Sequence, residues 1–315
     1  MLRYKTIAGE LVIREYMPGD EEAILHLFSL VFGKKKSLKV WEWEFLKNPY
    51  GTQIMLAFLN GQLVAQCASI PVRMWCRGKT IKAAQVVDCM SHPSCRGVAV
   101  KKRGIFALTV QAFFDRFTGC DTDMYIYGFP GERHYLLGRK LLGYRKTRPI
   151  AEIIVRPRTI PAAKVKNLTS DEEILERIPE SWHPSELHIL KSKEYVKWRY
   201  LLHPEHPYAF LEVKLPFVGS GLAIVRYAGE CVHLVDYMGR LDLVRATRAV
   251  ARYFWKDVSL WIPEGHKWEG WFRGEEIKPP EIKAIPTGIS FCETEVPWDW
   301  ANEEFFYTKG DSDLF

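Results

Sequence analysis

Two basic, glycine-containing turns lie between a predicted strand and a predicted helix in the first half of the sequence. They are residues 94–99, SCRGVA, and residues 101–106, KKRGIF. Glycine can adopt positive φ and lets the backbone come close to a ligand. The free N–H groups at a helix start attract an anion, and the four cationic side chains of these turns add to that attraction. The pattern predicts a site for a phosphate-bearing ligand, and either glycine could make the close approach.

The elements on either side must position this turn. Residues 84–90 are a nearly continuous apolar run, broken by Gln85 and Asp88, which is typical of a central strand buried on both faces. Pro93 ends the strand because proline cannot donate a ladder hydrogen bond. From Ile105 onward, apolar residues recur at helical spacing and predict a helix with one buried face. The expected binding residues are Met90, Ser91, Arg96, Gly97, Ala99, Lys101, Lys102, Arg103, Gly104 and Ile105.

The neighbouring elements follow from turn signals. Residues 11–16 predict a strand, and a Pro-Gly-Asp turn then leads into a helix. Asn60-Gly61 and Arg77-Gly78 mark two hairpins, so three antiparallel strands lead into the central strand. After the helix, residues 122–127 predict another strand, and residues 132–142 predict a helix that ends at a glycine.

This order of elements resembles the GNAT superfamily of N-acyltransferases over residues 10–150. The acetyl-CoA pyrophosphate loop of that family reads Gln/Arg-x-x-Gly-x-Gly/Ala. Residues 94–99 fit it except at the first position, and residues 101–106 fit a second register with Lys first and Phe last. Gly-Phe-Pro at 128–130 and Leu-Gly-Tyr at 142–144 resemble the end of such a domain. The resemblance implies acetyl-CoA or another acyl-CoA as co-substrate, with no metal.

The resemblance also implies direct acyl transfer, in which a deprotonated amine attacks the thioester carbonyl. For the general base, Asp88 and His92 are the candidates, although each could instead have a purely structural role. Many family members use a tyrosine as the general acid, but Gly138 or Arg139 stands at that position here. Tyr127 and Tyr135 are the available substitutes. An acyl-cysteine intermediate is the less favoured alternative, because small core thiols are commoner.

The second half repeats the order meander, long strand, helix, strand, and predicts a fold of tandem GNAT-like domains. The fold class is α/β (α+β), each domain having a mixed, mostly antiparallel sheet flanked by helices. The expected ranges are 1–155 for an acyl-CoA-binding domain, 156–183 for a linker, and 184–315 for a degenerate domain whose tail packs back on the first. Asp242 should cap a helix where a phosphate would otherwise bind, so this half should not bind CoA. Asp311 and Asp313 in the tail could attract an amine, although a solvated terminus is the alternative.

Composition limits the function classes. The 315 residues are 47% hydrophobic and carry a net charge of +6, which suits a polyanionic small ligand and gives little support to nucleic acid. Seven scattered cysteines without metal spacing predict reduced thiols and a cytoplasmic location, and no signal peptide or membrane span is expected. The lysine run 34–36 predicts a solvated surface. His203 and His206, set among prolines, predict a loop rather than a metal site.

The sequence therefore predicts an acyl-CoA-dependent N-acyltransferase that modifies a primary amine of a small molecule. The ending GDSDLF resembles uncharacterised tandem GNAT proteins, some of them thought to act on bacterial surface sugars, so the amine is expected on an amino sugar. A non-catalytic acyl-CoA-binding or scaffold protein is the alternative. An aminoacyl-tRNA-dependent transferase is a weaker third hypothesis.

Overall fold

The computed structural model describes residues 1–100, 103–159 and 163–315. The chain divides into two compact units, and neither is continuous in sequence. The first unit comprises Met1–Arg73, Ile81–Arg145 and Thr287–Trp298. The second comprises Met74–Thr80, Lys146–Pro286 and Asp299–Phe315.

The elements up to residue 146 are mostly strands, with two longer helices of twelve and thirteen residues. The strands are β1 (Leu2–Thr6), β2 (Gly9–Glu15), β3 (Gln53–Leu59), β4 (Gln62–Cys76), β5 (Lys79–Ser91), β6 (Ala99–Val100), β7 (Arg103–Gly104), β8 (Tyr125–Gly128) and β9 (Arg145–Lys146). The helices are α1 (Glu21–Phe32), α2 (Leu38–Trp41), α3 (Ile105–Phe117) and α4 (Glu132–Leu141), with a π-helical turn at Glu42–Leu46 and a 3₁₀ turn at Pro93–Cys95.

The remaining elements continue the same alternation. The strands are β10 (Ile150–Val155), β11 (Lys164–Leu168), β12 (Leu187–Ile189), β13 (Ala209–Leu215), β14 (Gly219–Ala228), β15 (Cys231–Gly239), β16 (Asp257–Pro263), β17 (Glu276–Lys278), β18 (Thr287–Ser290) and β19 (Phe305–Phe306). The helices are α5 (Asp171–Glu176), α6 (Lys193–Val196), α7 (Leu243–Phe254) and α8 (Trp298–Glu304), with a π-helical turn at Lys197–Leu201 and 3₁₀ turns at Glu269–Phe272 and Lys309–Asp311.

The sheet of the first unit runs in the order β1-β2-β3-β4-β5-β8-β18. The pairs β1–β2, β2–β3 and β3–β4 are antiparallel, as the turn signals predict. β5 and β8 are parallel, and β18 then joins β8 as an antiparallel neighbour. A strand from residues 287–290 thus completes a sheet that begins near residue 2.

The sheet of the second unit runs in the order β11-β13-β14-β15-β16-β10-β17. β15 and β16 are parallel and are connected through α7. Alternate residues of β15, β16 and β10 share one core with this helix; they are Val232, Leu234, Val258, Leu260, Ile262, Ala151, Ile153 and Val155. Because side chains alternate along a strand, the residues between them face the other side of the sheet.

The two units differ from the predicted ranges. β10 lies within the predicted first domain, 1–155, yet it pairs with β16 in the second unit. The predicted linker, 156–183, contributes β11 and α5 to that unit. The tail is also grouped with the second unit, where Lys191 forms ion pairs with Asp236, at 2.8 Å, and with Asp311. Asp311 is therefore buried, whereas Asp313 is exposed.

A disulfide corrects the prediction that all cysteines are reduced. Cys120 and Cys292 are bonded in the first unit, with Cα atoms 4.9 Å apart and a sequence separation of 172. The bond joins the segment before β8 to the segment after β18. No helix in the described ranges is both long and apolar enough to cross a bilayer.

Candidate active site

The central strand of the first unit extends beyond its parallel neighbour. The register pairs Ala83 with Tyr125 and Gln85 with Tyr127, and β8 ends one residue later at Gly128. Residues 87–91 of β5 therefore continue past the end of β8. The other edge of this extension is occupied by β4, since the N–H of His92 donates to Val64 O at 2.8 Å. A strand edge is thus left beside the turn that leads into α3.

Asp88 lies in the middle of this extension and interrupts the regular strand. Its φ is +47°, a left-handed value that Asp tolerates better than most residues. Its carboxylate forms an ion pair with Lys36 Nζ at 2.5 Å, and the same ammonium also binds Glu44. All three side chains are largely buried. Burial by itself would lower the pKa of Lys36, but the Glu44 and Asp88 carboxylates outweigh it and raise that pKa. Asp88 is therefore committed to an ion pair and is not a free base.

The start of α3 has the features that the sequence predicts for an anion site. Gly104 precedes the helix and carries no side chain that could cap it. A Cβ atom added to Gly104 or to Gly97 would meet nothing within 4 Å, so the backbone is open at both positions. Gly97 has a φ of +98°, which disfavours any other residue. Arg96 and Arg103 are exposed next to these glycines.

The remaining predicted binding residues surround this helix start. Met90 is buried in β5, and Ser91 O accepts a hydrogen bond from Arg96 Nη2 at 3.3 Å. Ala99 lies in β6, which pairs with β7 through Arg103 and Gly104. Ile105 is buried as the first residue of α3. Lys101 and Lys102 lie outside the described residues.

His92 has a structural role at the end of β5. Its Nδ1 accepts a hydrogen bond from the Ser94 N–H at 3.2 Å and lies 2.6 Å from Ser94 Oγ. The imidazole thus caps the 3₁₀ turn at Pro93–Cys95. One ring nitrogen is occupied by this turn, so only Nε2 could accept a proton from a substrate.

The predicted tyrosines are buried, and a third tyrosine joins them. Tyr127 lies in β8 with its ring 6.1 Å from Phe129, and Tyr135 lies in α4. Tyr144 stacks on His134, with ring centroids 5.7 Å apart, and its hydroxyl lies 3.5 Å from His134 Nε2. Burial raises the pKa of Tyr144 and lowers the pKa of His134. Tyr144 is therefore protonated at neutral pH.

The His134–Tyr144 pair lies beside the helix start. The ring of Phe106, in the first turn of α3, makes an edge contact with His134 at 6.0 Å. The thiols of Cys67 and Cys89, from β4 and β5, are near enough to influence the pKa of Tyr144. A protonated phenol, an uncapped helix start and the extension of β5 therefore occur together. This combination can bind an anion and donate a proton next to it.

Four residues of this arrangement were not among the site residues predicted from the sequence; they are Lys36, Glu44, His134 and Tyr144. Lys36 belongs to a run predicted to be solvated, and Glu44 lies in an aromatic segment that gave no sign of a charge pair. Tyr144 is part of the Leu-Gly-Tyr signature, but its contact with His134 depends on how the chain returns after α4. A buried acid in β5 does predict a buried cation, which could have directed attention to the lysine run.

The described residues contain no group of three or more His, Cys, Asp or Glu side chains placed to hold a metal ion.

In the second unit, Asp242 caps α7 by accepting a hydrogen bond from the Arg245 N–H at 2.9 Å. The predicted cap is confirmed. The two central helices thus begin differently, because α3 has a glycine where α7 has a carboxylate.

Comparison with known proteins gives a family match over part of the chain. Residues 12–117 match the family model of the acetyltransferase (GNAT) domain. No curated protein matches the sequence. The segment that matches contains the extension of β5, including Asp88, and the whole of α3.

Solved structures extend the likeness to most of the chain. A conserved protein from Enterococcus faecalis V583, described as a probable N-acyltransferase, has a TM-score of 0.68 at 15% identity and covers 89% of this chain and 73% of its own. A GCN5-related N-acetyltransferase from Kribbella flavida gives 0.60 at 13% identity, covering 88% and 70%. N-myristoyltransferase of Saccharomyces cerevisiae with bound myristoyl-CoA gives 0.52 at 11% identity, covering 88% and 82%.

At these identities the structural matches show the fold. Together with the family match over residues 12–117, they confirm the GNAT resemblance and the mixed α/β fold class. The predicted site residues, the domain roles and the acceptor stay predictions.

Proposed function

We propose that this chain, which carries a GNAT acetyltransferase domain at residues 12–117, transfers an acetyl or other acyl group from CoA to a primary amine of a small molecule. The observation that supports this most is the uncapped start of α3 next to the extension of β5. Acyl-CoA supplies an activated thioester to such a site. The residues of the chain must then bind the phosphates, position the amine and transfer two protons.

The phosphates fit the glycine-rich turn. Helix N–H groups and the dipole stabilise negative charge at the start of α3, and Arg96 and Arg103 add attraction from the surface. The open space above Gly97 and Gly104 lets a phosphate come close to the backbone. Lys101 and Lys102 are proposed as further contacts on sequence grounds.

The two proton movements are assigned to different groups. We assign protonation of the departing thiolate to Tyr144, supported by its protonated state and its His134 partner, with Tyr135 as the second candidate. His92 Nε2 is the candidate base for the amine. Asp88 acts through its ion pair with Lys36 in the extension of β5, so it is a positioning residue.

The acceptor is proposed to be an amino sugar. This choice is supported by the resemblance of the ending GDSDLF to tandem GNAT proteins connected with surface sugars. The first assay is release of free thiol from acetyl-CoA with a panel of amino sugars and simple primary amines. Tyr144→Phe and Tyr135→Phe should each be tested. The substitution that removes the general acid should lower kcat by about 10²–10⁴-fold and leave the affinity for acetyl-CoA unchanged.

Binding is tested separately by thermal stabilisation. A ligand present at about 100 times its Kd should stabilise the protein by about 2.7 kcal/mol. Changing Arg96 and Arg103 together to Ala should abolish the shift with acetyl-CoA. Changing Arg3 and Arg116 to Ala is the matched control, because both lie in exposed ion pairs elsewhere in the first unit. If no acyl-CoA raises the melting temperature at millimolar concentration, the proposed site is wrong. Stabilisation without any turnover would favour the non-catalytic alternative.

A further inference from the structure

The second unit contains a cavity of about 590 Å³. It lies on the face of the sheet formed by β15, β16, β10 and β17 that is opposite to α7. Its floor consists of the residues that alternate with the buried core positions: Cys231, His233, Asp257, Ser259, Trp261, Glu152 and Ile154. The volume falls within the range of about 300–1,000 Å³ that small-molecule sites occupy. This face of the sheet therefore has room for a ligand.

The inner end of the cavity is electrically balanced. Lys309, which is fully buried, binds Glu152 at 3.0 Å, Ser259 Oγ at 2.5 Å and His233 Nδ1 at 2.8 Å. The ammonium cancels the Glu152 carboxylate, and burial keeps His233 neutral by lowering its pKa to about 4. The inner end thus offers polar contacts without a net charge.

Aromatic surfaces lie next to this polar floor. The Trp261 and Phe315 rings meet edge to face, with centroids 4.8 Å apart. Trp261 is 1% exposed, and its indole N–H lies near Glu152 without forming a hydrogen bond of normal geometry. Ile154 and Ile282 add apolar surface to the same cavity.

The outer end carries two carboxylates, and the ammonium of Lys256, the residue before Asp257, donates a hydrogen bond to Gly229 O at 3.3 Å. Asp257 pairs with Cys231 in the ladder between β15 and β16, and Glu230 precedes Cys231. Within the described ranges neither carboxylate forms an ion pair. The acids at the other end differ, because Glu276 is paired with Arg156 at 3.0 Å and Glu281 lies 3.9 Å from Lys278. A local excess of acid in a chain with a net charge of +6 selects for cations.

We propose that this cavity binds a small organic cation, namely a primary amine with an apolar body. The ammonium group is placed at Glu230 and Asp257, and the apolar part lies against Trp261 and Ile154. The site belongs to the second unit, is separate from the acyl-CoA turn in sequence, and does not depend on acyl transfer.

The test uses the full chain, calorimetry and three probes of similar shape. Phenethylamine is the cation, 2-phenylethanol the neutral analogue and 3-phenylpropionate the anion. Phenethylamine should bind with a stoichiometry of one, at least about tenfold more tightly than either analogue. Replacing the acids, Glu230→Gln with Asp257→Asn, should weaken phenethylamine at least about tenfold. Glu172→Gln with Glu176→Gln, at exposed positions in α5, removes the same charge and should leave the affinity within twofold.

The comparison of probes needs only the unaltered protein, so it tests the proposed amine site even if the acid variants do not fold. Equal binding of the alcohol or the carboxylate would overturn the proposal, as would no binding of phenethylamine at 10 mM. Unchanged affinity in the folded acid variant would also overturn it. No acyl-CoA is present, and the Arg96 and Arg103 double variant should bind phenethylamine normally. A negative result for phenethylamine binding can therefore be distinguished from a negative result for acyl transfer.

Discussion

Replacing Lys36 with Met should strongly destabilise the first unit. The side chains of Lys36, Glu44 and Asp88 are 12%, 7% and 9% exposed, so one nearly buried ammonium serves two nearly buried carboxylates. Its removal leaves two like charges together without the ammonium that bridges them. Breaking a buried ion pair from one side costs about 3–5 kcal/mol. For a chain of 315 residues, such a loss lowers the melting temperature by roughly 5–8 °C.

The control variants separate this effect from loss of packing. Lys35→Met removes an exposed neighbour and should change stability by less than about 0.5 kcal/mol. Adding Glu44→Gln and Asp88→Asn to Lys36→Met should recover most of the loss, because the unpaired charges are then gone. Urea or thermal unfolding of all four proteins at pH 7 measures the differences.

The pH dependence gives a second readout. The pKa of Lys36 is raised above its ordinary value of 10.5, so its stabilising contribution is complete below that pH and is lost only in strong alkali. In Lys36→Met, the unpaired carboxylates bind protons more readily folded than unfolded, so the deficit should shrink as the pH falls towards 4. If the deficit of Lys36→Met equals that of Lys35→Met, or does not depend on pH, the assigned ion pairs are wrong.

Three further outcomes are expected. Cys292→Ser, or reduction of the bond to Cys120, should lower stability by about 2–5 kcal/mol, measured by unfolding with and without reductant; no change would mean that the bond is absent in solution. The pKa of Asp123 is raised to about 6 because burial outweighs its hydrogen bond, so its ionisation costs stability above pH 6 and the cost disappears as the pH falls towards 3.8. Asp123→Asn should therefore stabilise the protein by up to about 3 kcal/mol at pH 7 and flatten its pH profile between 4 and 6; a destabilised variant would contradict this. Gly138→Ala places a Cβ 2.2 Å from the Tyr144 ring and should lower kcat as Tyr144→Phe does, whereas normal turnover would remove that tyrosine from the mechanism.

The features that could be predicted from the sequence are those fixed by local chemistry. The uncapped glycine before α3 and the Asp242 cap on α7 follow from residue types within one helical turn. The antiparallel run into β5 follows from the Asn60-Gly61 and Arg77-Gly78 turns. These signals need no knowledge of distant parts of the chain.

The features that escaped prediction depend on distant partners. Lys36 meets Asp88 across 52 residues, and a run of three lysines gives no sign that one of them is buried. The disulfide spans 172 residues. The linker prediction overlooked β11 because the prolines around it suggested irregular chain, whereas pairing with β13 overrides that local preference. The sequence shows the alternation of polar and apolar residues in β15 and β16, but it does not show that a cavity lies on the polar face of the sheet.

The return of β18 to the first sheet has a consequence for synthesis on the ribosome. β8 is made near residue 128, but its outer neighbour is not made until residue 287. At a synthesis rate of about 5–20 residues per second, roughly 10–30 s pass before β18 can cover the edge of β8. An open strand edge can pair with another chain, so the nascent protein is exposed to misassembly during this interval. A chain cut near residue 150 would keep that edge open permanently, and we expect such a fragment to aggregate.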